Sequence, residues 1–129
     1  MPRNRKYFMN KTVVFITSRT QEGVPMPPTL VVNFLLWGIF ARAQKLYPVR
    51  TCHFIFLGNH FHMLLVVEDP QDVSQFVGYV KAELAHAINR LLGRRQKTIW
   101  AKGYDSPILL TVETVLDYIA YIYLNAVRA

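Results

Sequence analysis

The chain reads as an α+β domain: an antiparallel sheet backed by helices, with one further helix at the C-terminal end. Three observations predict it. Thr12–Thr17, Val49–Leu57 and His60–Glu68 are short runs rich in β-branched, aromatic and other apolar residues, the signature of strands. Gly58-Asn59 between the last two is a two-residue hairpin signal, which makes them antiparallel neighbours. Val73, Phe76, Val77, Val80, Leu84, Ala87, Ile88 and Leu91 keep the i, i+3, i+4, i+7 rhythm of a helix lying on a core. With 129 residues, 52% of them hydrophobic, the chain is long and apolar enough for one domain with its own core.

In chain order, Thr12–Thr17 opens as a strand. Gln21–Pro28, with three prolines and a glycine, is a loop. Thr29–Tyr47 is a mostly apolar helix that ends before Pro48 and reads as buried. Its longest apolar stretch, Leu30–Ala41, is broken by Asn33 and Gly38 and falls short of the ~20 residues a bilayer requires, so no membrane span is expected. The hairpin follows. Its second strand is apolar on both faces, which predicts a central place in the sheet. Asp69-Pro70 starts the next helix and Gly93 stops it. Thr98–Trp100 and Ile108–Leu110 are short strand candidates, and Thr111 caps a last helix running to about Val127. The order β-α-β-β-α-β-α matches the ferredoxin-like split βαββαβ arrangement plus a C-terminal helix. Residues 1–129 form a single domain in this reading.

Fifteen Lys and Arg against eight Asp and Glu give +7, a balance that points to a polyanionic partner. Arg90, Arg94, Arg95, Lys97 and Lys102 stand in one stretch without an acid. In a DNA-handling protein this stretch is a phosphate track, with Trp100 and Tyr104 available to stack on unpaired bases. For Trp100, core packing is the competing role. A single cysteine, Cys52, precludes an internal disulfide and fits a reducing cytoplasm. No secretory leader is visible at the start.

His60 and His62 sit two apart on a strand and so share a face, while Phe61 packs behind them. Two neutral imidazoles at that spacing are able to ligate one metal ion. The last helix carries an apolar stripe of Val112, Val115, Leu116, Ile119, Ile122 and Ala126. A second stripe, Asp117, Tyr121 and Asn125, repeats every four residues. A phenol is able to attack phosphorus, and an amide oxygen one turn on is able to complete the coordination of a hard cation. Tyr118 and Tyr123 compete with Tyr121 for the first role. His53 and His86 lack a paired partner and read as structural or surface residues.

At these positions the chain resembles the HUH single-tyrosine transposases, of the insertion-sequence and REP-associated kinds. Gly58-Asn59-His60-Phe61-His62 is similar to that family's Pro-Asn-His-hydrophobic-His, with Gly58 in place of the proline. Val14–Arg19 is similar to its first strand, ending in Thr-x-Arg. Trp100-Ala101-Lys102-Gly103-Tyr104-Asp105 resembles its Trp-x-x-x-Tyr-(Tyr)-Asp segment. Tyr121–Ala129 resembles its Tyr-Ile-x-x-Asn-Pro-Val-Arg-Ala ending, with Ala126 in place of the proline. The resemblance implies a nuclease that cuts and rejoins single-stranded DNA at or near hairpins through a covalent phosphotyrosine, using Mg²⁺ or Mn²⁺. It implies Tyr121 as nucleophile and His60, His62 and Asn125 as metal ligands. The family includes monomers and dimers that exchange the tyrosine helix; the ending leans toward a monomer. Relatives continue past this point, so a truncated C-terminus is an expectation too. The alternatives are an inactive or domesticated relative that only binds hairpin DNA, an RNA-binding ferredoxin-like module, and a zinc hydrolase. The RNA module lacks its aromatic RNP run, and the zinc hydrolase lacks a third zinc ligand.

Overall fold

The computed structural model describes residues 11–95 and 97–128, with side chains as far as Leu124. The elements are β1 (Thr12–Arg19), α1 (Thr29–Leu46), β2 (Val49–Phe56), β3 (His60–Val67), α2 (Gln71–Leu91), β4 (Ile108–Leu109) and α3 (Val112–Arg128). The four strands form one antiparallel sheet in the order β2-β3-β1-β4. β3 therefore lies between β1 and β2, and β1 between β3 and β4, so both β-α-β units are split by a strand of the other. The central place expected for the third strand is observed.

Strand alternation sorts the side chains into two layers. Val14, Ile16, Phe56, Phe61, Met63, Leu65 and Val67 point to one side, where α1 and α2 cover them and make the main core. Phe15 and Leu64 point to the other side, where Leu109 of β4 and Ile122 of α3 close a smaller core. Strand β2 changes face partway. Its register with β3 shifts between Thr51 and His53, a bulge at Cys52. Without that extra residue His53 would share the face of Val49; with it, His53 looks toward α3.

Four local expectations are corrected. Thr98–Trp100 is not a strand: only an isolated bridge joins Trp100 to Thr20, because this segment is stitched to the chain just beyond β1 by single bonds, Gln21 N–H to Ile99 O and Ala101 N–H to Arg19 O. β4 stops at Leu109, and Leu110 is exposed. Helix α1 is one-sided rather than buried. Val32, Leu36, Ile39, Phe40 and Ala43 face the core, while Leu30, Phe34 and Trp37 face solvent. The buried stripe of α3 is also rotated from the expected one. Val112 and Leu116 are exposed, and Val115, Tyr118, Ile119 and Ile122 face the sheet. The cause is Tyr118, whose ring packs 4.5 Å from that of Phe15.

The caps are as the residue types require. Asp69 accepts the Gln71 N–H at 2.9 Å, and Thr111 Oγ1 accepts the Thr114 N–H at 3.1 Å. Gly93 ends α2 with φ 67°, a conformation few side chains tolerate. Asn33, the polar break in α1, has a definite task. Its amide donates to Thr29 O and Phe56 O at 3.0 and 3.1 Å and accepts from Phe56 N–H at 2.9 Å. It thereby ties α1 to the end of β2, where Phe56 pairs with Phe61 at the base of the turn that delivers His60. Replacing Asn33 by Ala leaves the Phe56 N–H without its partner. Urea unfolding should show a loss of about 1–3 kcal/mol; an unchanged midpoint would refute this anchoring role.

Candidate active site

The candidate side chains come from the β1–β3 pair. In its register Thr17 faces His62 and Arg19 faces His60, so these four residues share one side of the sheet at one end. Helix α3 crosses the same side. The rotation that buries Tyr118 against Phe15 turns Tyr121 toward the histidines. The rings of Tyr121 and His62 meet edge-on with centroids 5.6 Å apart, and His62 stacks on Phe15 at 5.0 Å. His60 and His62 lie 4.8 Å apart, ring centre to ring centre. Together with Asp105, Pro107 and Asp117 these residues line a hollow of about 500 Å³.

The imidazoles are arranged as ligands. Asn59 Oδ1, which only accepts, lies 2.7 Å from His60 Nδ1, so that nitrogen carries the proton and Nε2 keeps its lone pair. His62 Nδ1 lies 3.0 Å from Thr17 Oγ1. Among the described residues His62 Nε2 is buried without a partner, and the residue is only 3% exposed. Burial, the neighbouring His60 and the Arg19 guanidinium lower the pKa of His62 from the usual 6.5 to about 4. Burial, then Arg19, lowers that of His60 as well. Both rings are thus neutral at neutral pH, the form that binds metal. An orphaned, neutral, inward nitrogen beside a second free one fits a divalent cation. Among the described residues no group of three His, Cys, Asp or Glu gathers there. Asn125 falls one turn beyond Tyr121 on α3, and its side chain lies outside the described ones.

The other tyrosine candidates have separate roles. Tyr118 is wedged on Phe15, and Tyr123 faces His53, with Oη 3.4 Å from its Nδ1. The bulge in β2 makes that contact, and it gives His53 the structural role expected of it. Trp100 is held by the scaffold: its indole N–H donates to Lys81 O at 2.8 Å and its ring meets Phe61 edge-on at 5.1 Å. Lys81 Nζ lies over both Trp100 and Tyr104, 5.5 and 5.6 Å from the ring centres, so both rings are half-buried against α2. Arg90, Arg94 and Arg95 line a second open hollow with His86 and Asn89 at the C-terminal end of α2. Lys97 and Lys102 are exposed nearby in sequence. Helix α2 packs on the α1 side of the sheet, the face opposite His60 and His62.

Sequence reasoning left Arg19 and Asp105 without a role of their own. Arg19 was legible by alternation, two residues from Thr17 on a strand that pairs with β3. Asp105 carried no local signal: it reaches the site through paired backbone bonds to Thr17, at 2.9 and 3.0 Å.

The protein shares its fold with a REP-associated tyrosine transposase solved bound to a REP hairpin. The TM-score is 0.72 at 19% identity, over 99% of this chain and 74% of that one. A predicted transposase of Deinococcus radiodurans R1 superposes with a TM-score of 0.61 at 16% identity, over 97% of this chain and 98% of that one. No protein of curated function matches by sequence. The model of the family "Transposase IS200 like" matches residues 31–122, and the chain belongs to that family.

The depressed pKa gives a direct check. In the metal-free protein the His62 ring should titrate near 4 by NMR, and a midpoint close to 6.5 would contradict the burial described here. The unfolded chain binds the extra proton first, so this residue's contribution to stability is present above about 6.5 and is lost as pH falls toward 4. Replacing His62 by Gln should flatten that part of the stability profile.

Proposed function

We propose that this chain is a metal-dependent nuclease domain that cleaves and rejoins single-stranded DNA at or near hairpins, with Tyr121 as nucleophile. The observation that carries the reading is the meeting of Tyr121 and His62 within one chain, in a hollow that also holds His60 and Arg19. His60, His62 and Asn125 would hold Mg²⁺ or Mn²⁺. When bound, that ion supplies polarisation of a non-bridging phosphate oxygen and offsets charge in the transition state.

The protein's own groups do the rest. Tyr121 is half-exposed, so its Oη is open to a DNA strand while Phe15 holds the ring from the side. Arg19 places a fixed positive charge beside His60, where an anionic phosphodiester has to lie. Attack by Oη on phosphorus breaks one P–O ester bond. The leaving sugar oxygen takes a proton, and the phenolic proton passes to solvent or to a nearby carboxylate. The new phosphotyrosine keeps the ester energy, so reversal by another DNA hydroxyl rejoins the strands without ATP. Arg90, Arg94, Arg95, Lys97 and Lys102 supply a phosphate track, and the hairpin bound by the REP-associated relative supports that ligand class for this chain. Trp100 and Tyr104 serve the track by shaping segment 100–104 rather than by free stacking. In this reading the tyrosine serves its own chain's histidines and the unit acts in cis as a monomer, the alternative being a homodimer that exchanges α3. Among the described residues no helix is long and apolar enough to cross a membrane.

Labelled single-stranded hairpin DNA and Mn²⁺ should give a denaturation-resistant protein–DNA adduct. Tyr121→Phe should give none, and His62→Ala only background. Adduct persisting in Tyr121→Phe rules out this nucleophile. Mixing those two variants should restore nothing if the site is built in cis; restored adduct would mean exchange of α3 between chains. Removing Arg90, Arg94 and Arg95 together should weaken hairpin binding and flatten its salt dependence, by about 0.7 in log–log slope for each phosphate no longer neutralised.

A further inference from the structure

The two imidazoles are held from their Nδ1 sides by unlike partners. Asn59 Oδ1 leaves His60 no choice of tautomer. Thr17 is different: a hydroxyl both gives and accepts, so its 3.0 Å contact with His62 Nδ1 permits either form. The far side of the ring distinguishes them. If the Thr17 hydroxyl donated, the His62 proton would sit on Nε2, a buried donor with no acceptor among the described residues. If Thr17 accepts, Nε2 carries a lone pair, on a ring that lines the hollow.

We propose that Thr17 is a positioning residue: its hydroxyl accepts the His62 Nδ1–H and so presents the Nε2 lone pair to a divalent cation. The inference rests on the metal-dependent reading above and adds to it the group that sets the ligand's tautomer. Thr17 suits the task mechanically. It lies opposite His62 in the β1–β3 register, and its N–H and C=O are bonded to Asp105 on the other flank. Its backbone bonds go to Asp105, its neighbours Ile16 and Ser18 pair with Met63 and Phe61 of β3, and a β-branched side chain has few χ1 choices. The oxygen that orients His62 is part of the sheet and does not depend on a loop. Outer-shell partners of this kind typically change metal affinity about 10–100-fold when removed.

The test combines two readouts on the full chain. Long-range ¹H–¹⁵N NMR correlations of the imidazoles report tautomers without metal, and Mn²⁺ binding is followed by electron paramagnetic resonance. Wild type should show His62 protonated at Nδ1. Thr17→Val, nearly the same size but with no acceptor, should move the proton toward Nε2 and weaken Mn²⁺ binding by about 10–100-fold. Thr17→Ser should restore both. An Nε2–H ring in the wild type overturns the inference whatever the variants do. It is equally overturned if Thr17→Val binds Mn²⁺ like wild type while His62→Ala does not, an outcome that leaves the metal reading standing. If His62→Ala binds Mn²⁺ as wild type does, the metal reading itself falls, and this inference with it.

Discussion

The antiparallel register of β1 against β3 is the constraint on which the rest of the structure depends. It sets Thr17 opposite His62 and Arg19 opposite His60, and it runs unbroken from the Thr12–Val67 pair to the Arg19–His60 pair. A slip of one residue would send every one of these side chains to the opposite face. Burial prevents that slip. Val14, Ile16, Met63, Leu65 and Val67 are each no more than 2% exposed on the helix-covered side. The histidine face is therefore held in place by the apolar face behind it.

Helix α3 is held less firmly, and its function follows from how. Its core with the sheet is small: Phe15, Leu64, Leu109 and Ile122, with Tyr118 wedged in. A second contact, Tyr123 with His53, pins it further along, and that contact exists because a bulge turns His53 to this side. Two aromatic contacts, one on each side of Tyr121, thus fix how far the helix is rolled. The roll determines which tyrosine meets the histidines. Tyr121 faces the hollow while its neighbours are engaged in packing.

The electrostatics extend the same arrangement. Burial, with Arg19 adding to it, depresses the proton affinity of both histidines, and Arg19 leaves a fixed positive charge beside them. A fixed cation beside two neutral, partly desolvated imidazoles makes a poor place for a proton and a good place for an anion with its own counter-ion. On the flank of β1, Gln21 and Arg19 are bonded to the segment around Trp100. Lys81, lying over Trp100 and Tyr104, keeps that segment in shape. Rings that looked free to stack on bases are already occupied.

What the sequence determined by itself was local. Strand runs, the Gly58-Asn59 turn, the helix periodicity, the caps and the shared face of His60 and His62 all follow from residues a few positions apart, and the sheet order follows from the hairpin and two crossovers. Tyr121 was legible only beside Tyr118 and Tyr123, with the family resemblance favouring it. The tertiary structure decided what local patterns do not contain. It chose the roll of α3, which made Val112 and Leu116 exposed and Tyr118 an anchor. It converted Thr98–Trp100 from a strand into a tether, and it left α1 with one bare apolar side. It also gathered Thr17, Arg19, Asp105 and Asp117 around the histidines. The reason is range: hydrophobic period and turn chemistry act within one element, whereas a site is made by register and helix rotation between elements far apart in the chain.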